Sequence, residues 1–521
     1  MILLDTTIVN VAIPAMLTGL NTTLDQILWV INAYILVYAV LLITAGRLGD
    51  LYGQRNVFAM GLAIFTFASA LCGLAQNSSE LIAARVLQGI GGALLTPQTL
   101  AIITTIFPPE RRGAAFGIWG GVAGIASLAG PTLGGAIVTY IDWRWIFYVN
   151  LPIGIAALIA TFLLVPDLRP GRKHSWDVLG VFLVTLGLFG IVFGLIEGQR
   201  YNWGEIVYSV TIPEVIGAGL VIIAIFLIRE RFQTEPLIPM SLFEDRNFAL
   251  MNWMSAAVSF GMLGLFLPIT IYLQSVRGFS ALTAGLTLAP MSVTSMLLAP
   301  FAGRLVDRIG GRYILMLGLT LFATGAGTIA FVADNNSTWV NFFFPAVIAG
   351  AGIGMTFAPM TTTAMRNISP RLSGAASGLM NTTRQLGAVL GSAVVGAVLQ
   401  NRLATALHDE AVAHASSLPA AFRDQFINAF NVSSGGFQIG RGQAVAHLPP
   451  GLPKNVAEQL AQLGHDVFVS GYIDAMKPTL TVPIALLAIA AVSCLFITKY
   501  KRPVDVQEPR PAPAERNEVV V

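Results

Sequence analysis

Asp5 and Arg85 are charged residues set inside long apolar runs. An ionised side chain held in the hydrocarbon of a bilayer is costly, so such residues mark function by default. Of the 27 acidic residues, only Asp5 would lie deep in such a run once its helix is completed. A free aspartate has a pKa of about 3.9 and stays ionised at neutral pH. Burial in an apolar cavity raises that value, and a nearby cation lowers it. A carboxylate that alternates between the two surroundings loads and releases a proton, and Arg85 is placed to hold the ionised form. All five histidines lie between the apolar runs, so a histidine relay is excluded. A structural reading stands beside this one: Asp5 as a hydrogen-bonding or helix-end residue, Arg85 as a tie to backbone carbonyls. A second intramembrane cation, Arg384, shares about one helical turn with Asn381 and Gln385, either to meet substrate or to tie helices together.

A different kind of charge sits at turns. The segment 46–55 returns as 303–312 with six identities in ten, in the pattern G-R-L-x-D-x-x-G-x-R. Each copy lies between two apolar runs. Asp50 and Arg55 beside Arg111 and Arg112, with Asp307 and Arg312 in the second copy, are expected to form a latch on the inner face. A carboxylate there can cap a neighbouring helix amino terminus and hold one conformation closed. Charges that merely mark topology are the alternative, but a marker does not need the same Asp and Gly spacing twice.

The elements that carry these residues are membrane helices. The chain of 521 residues is 55% hydrophobic and 11% charged, where a soluble domain has roughly 25% charged residues. About fourteen apolar spans follow one another: 1–18, 26–46, 56–75, 80–106, 113–139, 145–165, 177–197, 210–229, 247–274, 281–302, 313–333, 340–365, 373–400 and 476–498. The first is short for about 30 Å of hydrocarbon, which suggests that about ten residues of its helix precede Met1; a tilted helix in a thinned bilayer is the alternative. Of the 30 lysines and arginines, 20 fall on one side of this alternation and 8 on the other, five of the latter in one long loop. The positive-inside rule then places both termini in the cytoplasm. Cys72 and Cys494 lie within spans, and neither a disulfide framework nor metal-type spacing is present. The net charge of +3 does not suggest a nucleic-acid partner.

The repeat extends past the charged turn. Gly113-Ala114-Ala115-Phe116-Gly117 corresponds to Gly374-Ala375-Ala376-Ser377-Gly378, and Gly92 and Pro97 correspond to Gly354 and Pro359. Spans 1–6 therefore pair with spans 9–14, leaving spans 7 and 8 as an insertion. The expected division is a six-helix bundle over 1–165, an inserted hairpin with its linkers over 166–246, and a second six-helix bundle over 247–498. The second bundle includes an outer loop at 401–475, and a cytoplasmic tail at 499–521 is expected to be disordered. Val347 stands where the repeat would place a partner to Arg85, so the proton machinery is confined to the first half.

These residues carry a family resemblance. The turn at 46–55 resembles the signature loop of the major facilitator superfamily. Leu4-Asp5-Thr6-Thr7-Ile8-Val9-Asn10-Val11-Ala12-Ile13-Pro14 resembles the first-helix motif of its fourteen-helix drug:proton antiporters, and Arg85-Val86-Leu87-Gln88-Gly89 the fourth-helix motif. Gly124 with Gly130-Pro131-Thr132-Leu133-Gly134-Gly135 resembles the fifth-helix antiporter motif, and Tyr272-Leu273-Gln274 with Gly278 and Ala284-Gly285-Leu286 is also similar to this family. The resemblance implies an all-α membrane protein of the major facilitator fold, working as a monomer in the cell membrane. Its implied activity is alternating-access efflux of amphipathic or lipophilic compounds in exchange for protons, with the proton gradient as energy source and no cofactor. Export of a native lipid or secondary metabolite, or substrate:proton symport, remains open on the same scaffold. The tenth span has no acidic residue, which argues against a strong preference for dications.

A multidrug pocket is apolar and aromatic with few fixed polar groups. Asn10, Trp29, Asn32, Tyr34, Asn252, Trp253, Phe260 and Phe266, with Asn381, Arg384 and Gln385, are candidates for its walls. An ATP-driven pump is excluded because none of the five lysines follows a glycine, as a phosphate-binding loop requires. A membrane enzyme would need a convergent nucleophile, base or metal set, which these spans lack.

Overall fold

The computed structural model describes residues 1–498 apart from 23, 109–110, 168–176, 199, 202, 208, 234–235, 370–371, 416–417, 419 and 431–453. The first group of helices is α1 (Ile2–Gly19), α2 (Leu24–Tyr52), α3 (Gln54–Leu74), α4 (Ser78–Ile106), α5 (Arg112–Tyr140), the short α6 (Trp145–Tyr148) and α7 (Asn150–Leu164). Then come α8 (Val178–Glu197) and α9 (Ile212–Glu230), joined through a two-stranded hairpin, β1 (Glu205–Val207) and β2 (Val210–Thr211). The third group is α10 (Arg246–Ile271), α11 (Ala281–Ile309), α12 (Arg312–Val332), α13 (Trp339–Gly354), α14 (Phe357–Met365), α15 (Ser373–Ala415), α16 (Ala420–Ala429) and α17 (Lys454–Ser493).

Short polar residues fix where the apolar runs start as helices. Asn77 accepts from the Glu80 N–H, Asp245 from those of Asn247 and Phe248, and Ser280 from that of Thr283. Thr211 and Glu214 form a reciprocal box at the head of α9. These acceptors satisfy amides that the first helical turn leaves free. Within the helices, hydroxyls such as Thr66, Thr96 and Thr104 donate to the carbonyl four residues earlier, so no polar atom of theirs is left to the lipid.

Twelve helices among the described residues are long and apolar enough to cross a membrane, or thirteen with α1, which bends by 45° between its two parts. α5 is a further helix of 29 residues. Fourteen spans were expected, and the count by length and composition gives twelve to thirteen. In the first group α3 packs on α4, α4 on α2, and α1 on α5; in the third, α12 packs on α13, and α10 and α17 on α15. The groups meet along two seams, α5 with α11 and α2 with α15. The α8–α9 pair leans on α2 and α15. At its head Asp177 binds Arg229 at 2.6 Å. Burial alone would raise the Asp177 pKa, but the bonds from Arg229 and the Gly180 N–H outweigh it and hold the carboxyl below its usual range.

The outer loop expected at 401–475 is a helical extension over its described parts. α15 continues unbroken to Ala415 and α17 begins at Lys454, with α16 between them. A helix of 43 residues spans about 65 Å, twice the hydrocarbon thickness. Arg402, Asp409 and Glu410 lower the hydropathy there, yet Leu399, Leu403, Leu407, Ala411 and Ala415 keep a buried stripe at four-residue spacing. The tail at 499–521 lies outside the described residues.

Candidate functional site

Asp5 is fully buried on α1, and Arg85 on α4 is 1% exposed. Arg85 Nη1 donates to Asp5 Oδ2 at 2.6 Å. Gln88, one turn further along α4, donates from Nε2 to Asp5 Oδ1 at 3.0 Å and accepts from Arg85 Nη1 at 2.6 Å. Asn150, in the first turn of α7, donates from Nδ2 to Asp5 Oδ1 at 3.3 Å. Ser69 of α3 accepts from Gln88 at 2.8 Å and donates its hydroxyl to the Phe65 carbonyl at 2.8 Å. The guanidinium also donates from Nε to the Val30 carbonyl of α2 at 3.1 Å and lies 4.2 Å from the Tyr34 ring centroid.

Arg85, Gln88 and Asn150 each present a donor to Asp5, and a hydrogen bond with a charged partner is stronger than one between neutral groups. A buried ion pair is tolerated only when its remaining hydrogen-bonding groups are satisfied, and four helices contribute to that here. Two close backbone approaches make room for it. A Cβ on Gly89 would stand 2.9 Å from the Tyr34 carbonyl, and one on Gly130 would overlap Thr7. Glycine therefore lets α4 reach α2 and α5 reach α1.

Of the antiporter-motif residues, Gly134 likewise meets Ile8 of α1, with 2.6 Å from a notional Cβ to Cγ1, and Gly124 faces Met296 of α11 across the seam. Gly135 has open space beside it. The side chain of Pro131 lies outside the described residues, although α5 continues through that position.

The inner latch differs in its partners from the expectation. Asp50 Oδ1 and Oδ2 accept from the Gly374 and Ala375 N–H groups at 3.0 and 2.9 Å, at the start of α15 in the other half. Asp307 accepts from the Gly113 and Ala114 N–H groups at 3.0 and 3.1 Å, at the start of α5. The caps thus cross between the halves, each carboxylate on a helix amino terminus where the dipole favours an anion. Arg112 does not sit beside Asp50. It donates to the Thr104 carbonyl at 2.8 Å and the Met365 carbonyl at 2.9 Å, bridging the ends of α4 and α14, because a cation suits a helix carboxy terminus. Arg55 donates instead to the Phe162 carbonyl of α7 at 2.7 Å. Arg111 is exposed at the cap of α5, and Arg312 lies over the Tyr313 ring at 5.6 Å.

Asp50→Asn and Asp307→Asn are each expected to weaken closure of this face by about 1.5–3 kcal/mol, the range for a hydrogen bond to a charged group. That corresponds to roughly a tenfold to hundredfold change in the open fraction. Asp50, 8% exposed, should show the larger effect than the half-buried Asp307. Labelling of Ser377→Cys, introduced beside Pro97 in the seam after Cys72 and Cys494 are replaced, measures it. Equal labelling rates in the variants and the parent would show that the caps do not hold the face.

The pocket candidates separate. Trp29 packs on Phe193 at 6.2 Å, and Asn32 donates to Glu197 at 3.3 Å, so both face the inserted helix α8 rather than a pocket. Tyr34 belongs to the Asp5 network. Trp253 is 44% exposed and points away from the interior, as an aromatic on the outer face of a membrane helix does. Asn252 is buried and donates to the Phe248 carbonyl, while its Oδ1 has no partner. Phe260 and Phe266 are half-buried; Gly391 packs against the Phe260 backbone, and Phe266 packs on the main core. Asn381 is buried on the Ser377 carbonyl, with Arg384 and Gln385 half-buried beyond it. The side chain of Asn10 lies outside the described residues. Glu197, the last residue of α8, is 2% exposed and paired with Arg200 at 3.1 Å.

Ser69 and Asn150 were not singled out from the sequence, and Gln88 appeared there only within the fourth-helix motif, with no role of its own. Gln88 had a legible signal, its i,i+3 spacing from Arg85, which puts both on one helix face. Ser69 and Asn150 had none beyond being polar within apolar runs.

The Major Facilitator Superfamily model matches residues 1–392. The tetracenomycin C resistance and export protein of Streptomyces glaucescens is 32% identical over 518 residues, covering 99% of this chain and 92% of that protein. The multidrug resistance protein Stp of Mycobacterium tuberculosis (strain CDC 1551 / Oshkosh) is 35% identical over 408 residues, covering 78% of this chain and 75% of that protein. Among solved structures, the human organic anion transporter MFSD10 (TETRAN) is similar in fold, with a TM-score of 0.55, 12% identity and coverage of 93% of this chain and 96% of that one.

Proposed function

Since the chain belongs to the major facilitator superfamily and is a multi-pass membrane transporter rather than an enzyme, we propose that it exports small amphipathic or lipophilic compounds in exchange for protons. It does so by alternating access, as a monomer in the cell membrane with both termini cytoplasmic. The observation that supports proton coupling is the Asp5–Arg85 pair, a titratable carboxylate and its cation, both buried inside the helix bundle. The likeness to the tetracenomycin C resistance and export protein and to the multidrug resistance protein Stp supports drug-like substrates. A second reading on the same scaffold is export of a native lipid or secondary metabolite.

In the form described here both crossed caps are made, so the charged-turn face is closed. A proton arriving from outside neutralises Asp5 and releases Arg85 from its counter-ion. The caps at Asp50 and Asp307 then part, and the proton leaves inward as substrate enters. Return of the ion pair restores closure of that face.

Proteoliposomes test this. One proton entering down about 150 mV supplies roughly 3.5 kcal/mol, at about 2.3 kcal/mol per charge per 100 mV. At about 1.4 kcal/mol per tenfold, that sustains a gradient of a few hundredfold for a neutral substrate exchanged one for one. With a single carboxylate in the site, monocation efflux should be electroneutral and follow the pH difference alone. Monocation efflux driven by voltage without a pH gradient would require a second proton site, with Glu197 or Glu80 the next residue to test. Efflux indifferent to both gradients would overturn the exchange itself.

A further inference from the structure

Three donors converge on Asp5. Arg85 and Gln88 come from one turn of α4, while Asn150 alone comes from α7. Twelve residues further along the same helix, about 18 Å away at 1.5 Å per residue, lies Phe162. Its carbonyl accepts from Arg55 Nη2 at 2.7 Å, and its ring lies 5.2 Å from the same guanidinium. Arg55 is the second residue of α3, directly after the turn at Gly53, where φ is +90°. That turn bears the inner closure: Asp50 caps α15, and Gln54 donates to Ser373 Oγ at 2.9 Å. Between its ends α7 is seated closely on α3, since a Cβ on Gly154 would overlap Thr66.

We propose that α7 is a rigid strut carrying the charge state of Asp5 to the inner closure, with Asn150 and Arg55 as positioning residues at its two ends. The inference rests on Asp5 being the proton site. A hydrogen bond to a carboxylate is roughly twice as strong as one to a neutral acid, so protonation loosens the grip of Asn150 on α1. A helix transmits the resulting shift along its axis, and Arg55 delivers it to the turn that holds α15. Among the described residues, the other charged or titratable side chains around Asp5 are Arg85 of α4, Tyr34 of α2 and Cys72 of α3. α5, α6 and α7 present no charged side chain to it among the described residues.

The test uses the full chain in proteoliposomes, with Ser377→Cys as the reporter and both native cysteines replaced. Asp5→Asn should speed labelling of the reporter tenfold or more in the otherwise native protein. With Asn150→Leu or Arg55→Gln present, the same substitution should speed it less than threefold. In the Asp5-containing protein, either strut variant should flatten the rise of labelling as pH falls, whereas a merely structural loss would change the rate equally at every pH. If Asn150→Leu does not yield folded protein, Asn150→Ser and Arg55→Gln carry the same comparison. A full tenfold effect of Asp5→Asn in both strut backgrounds would overturn the strut and leave proton coupling standing. No effect of Asp5→Asn in the native background would overturn proton coupling itself.

Discussion

Replacing Asp5 with asparagine is expected to abolish proton-driven efflux while the protein still folds and reaches the membrane. Asparagine has nearly the same size and keeps an acceptor toward Arg85 and Gln88, so the packing of α1 on α5 and α2 is preserved. Arg85 still has the Val30 carbonyl, Gln88 and the Tyr34 ring. What disappears is the carboxylate that pairs with Arg85. Substrate should then equilibrate across a vesicle membrane without accumulating against its gradient, at every pH. The measurement is pH-gradient-driven accumulation of a lipophilic cation, set beside exchange of labelled for unlabelled substrate. Unchanged accumulation in the variant would remove Asp5 from the coupling site, whatever its geometry.

Arg85→Leu should be worse for the fold than for the chemistry. It leaves a carboxylate with no counter-ion in a site sealed from water, and losing one partner of a buried pair typically costs about 3–5 kcal/mol. An isolated buried charge is relieved by neutralisation, so Asp5 should keep its proton and cease to cycle. The double variant Asp5→Asn with Arg85→Leu has no buried charge to relieve. It should recover most of the lost thermal stability in detergent and none of the coupled transport. A double variant less stable than Arg85→Leu alone would mean that Asp5 contributes through packing and not through its charge.

Much of this could be read from residue types, and the limits are physical. Asp5 and Arg85 announce themselves because a charge within an apolar run has few other reasons to exist. Asn150 and Ser69 do not, because an amide or hydroxyl in a membrane helix can be satisfied by its own backbone; only the fold shows that these two turn toward Asp5 and its partner Gln88. The charged turns were legible as a repeat, and capping of a helix by carboxylate was expected. Their cross-connection was not, since Asp50 and Gly374 are 324 positions apart and nothing local distinguishes a cap within a half from one between halves. Arg55 and Arg112 were grouped with Asp50 by charge and by membrane side. Each proves to bind carbonyls, which sequence cannot single out because every residue has one. The outer ends of α15 and α17 were read as loop because charge dilutes hydropathy there, although the four-residue stripe from Leu399 to Ala415 was present to be seen.

The crossed caps have a consequence for ancestry. Asp50 meets the segment at Gly374, and Asp307 meets the corresponding segment at Gly113, so each half offers the same two surfaces that the other half engages. That is the contact pattern of an isologous dimer, in which one patch pairs with itself about a two-fold axis. A single half-length polypeptide would already encode the carboxylate and the helix end that form a cap, and two copies would complete both caps. The two halves expressed as separate chains should therefore find the same closure. The Asp5–Arg85 pair has no such twin, because Val347 stands opposite Arg85 in the repeat. The crossed caps carry the symmetry of a homodimer, and the proposed proton site belongs to one half alone.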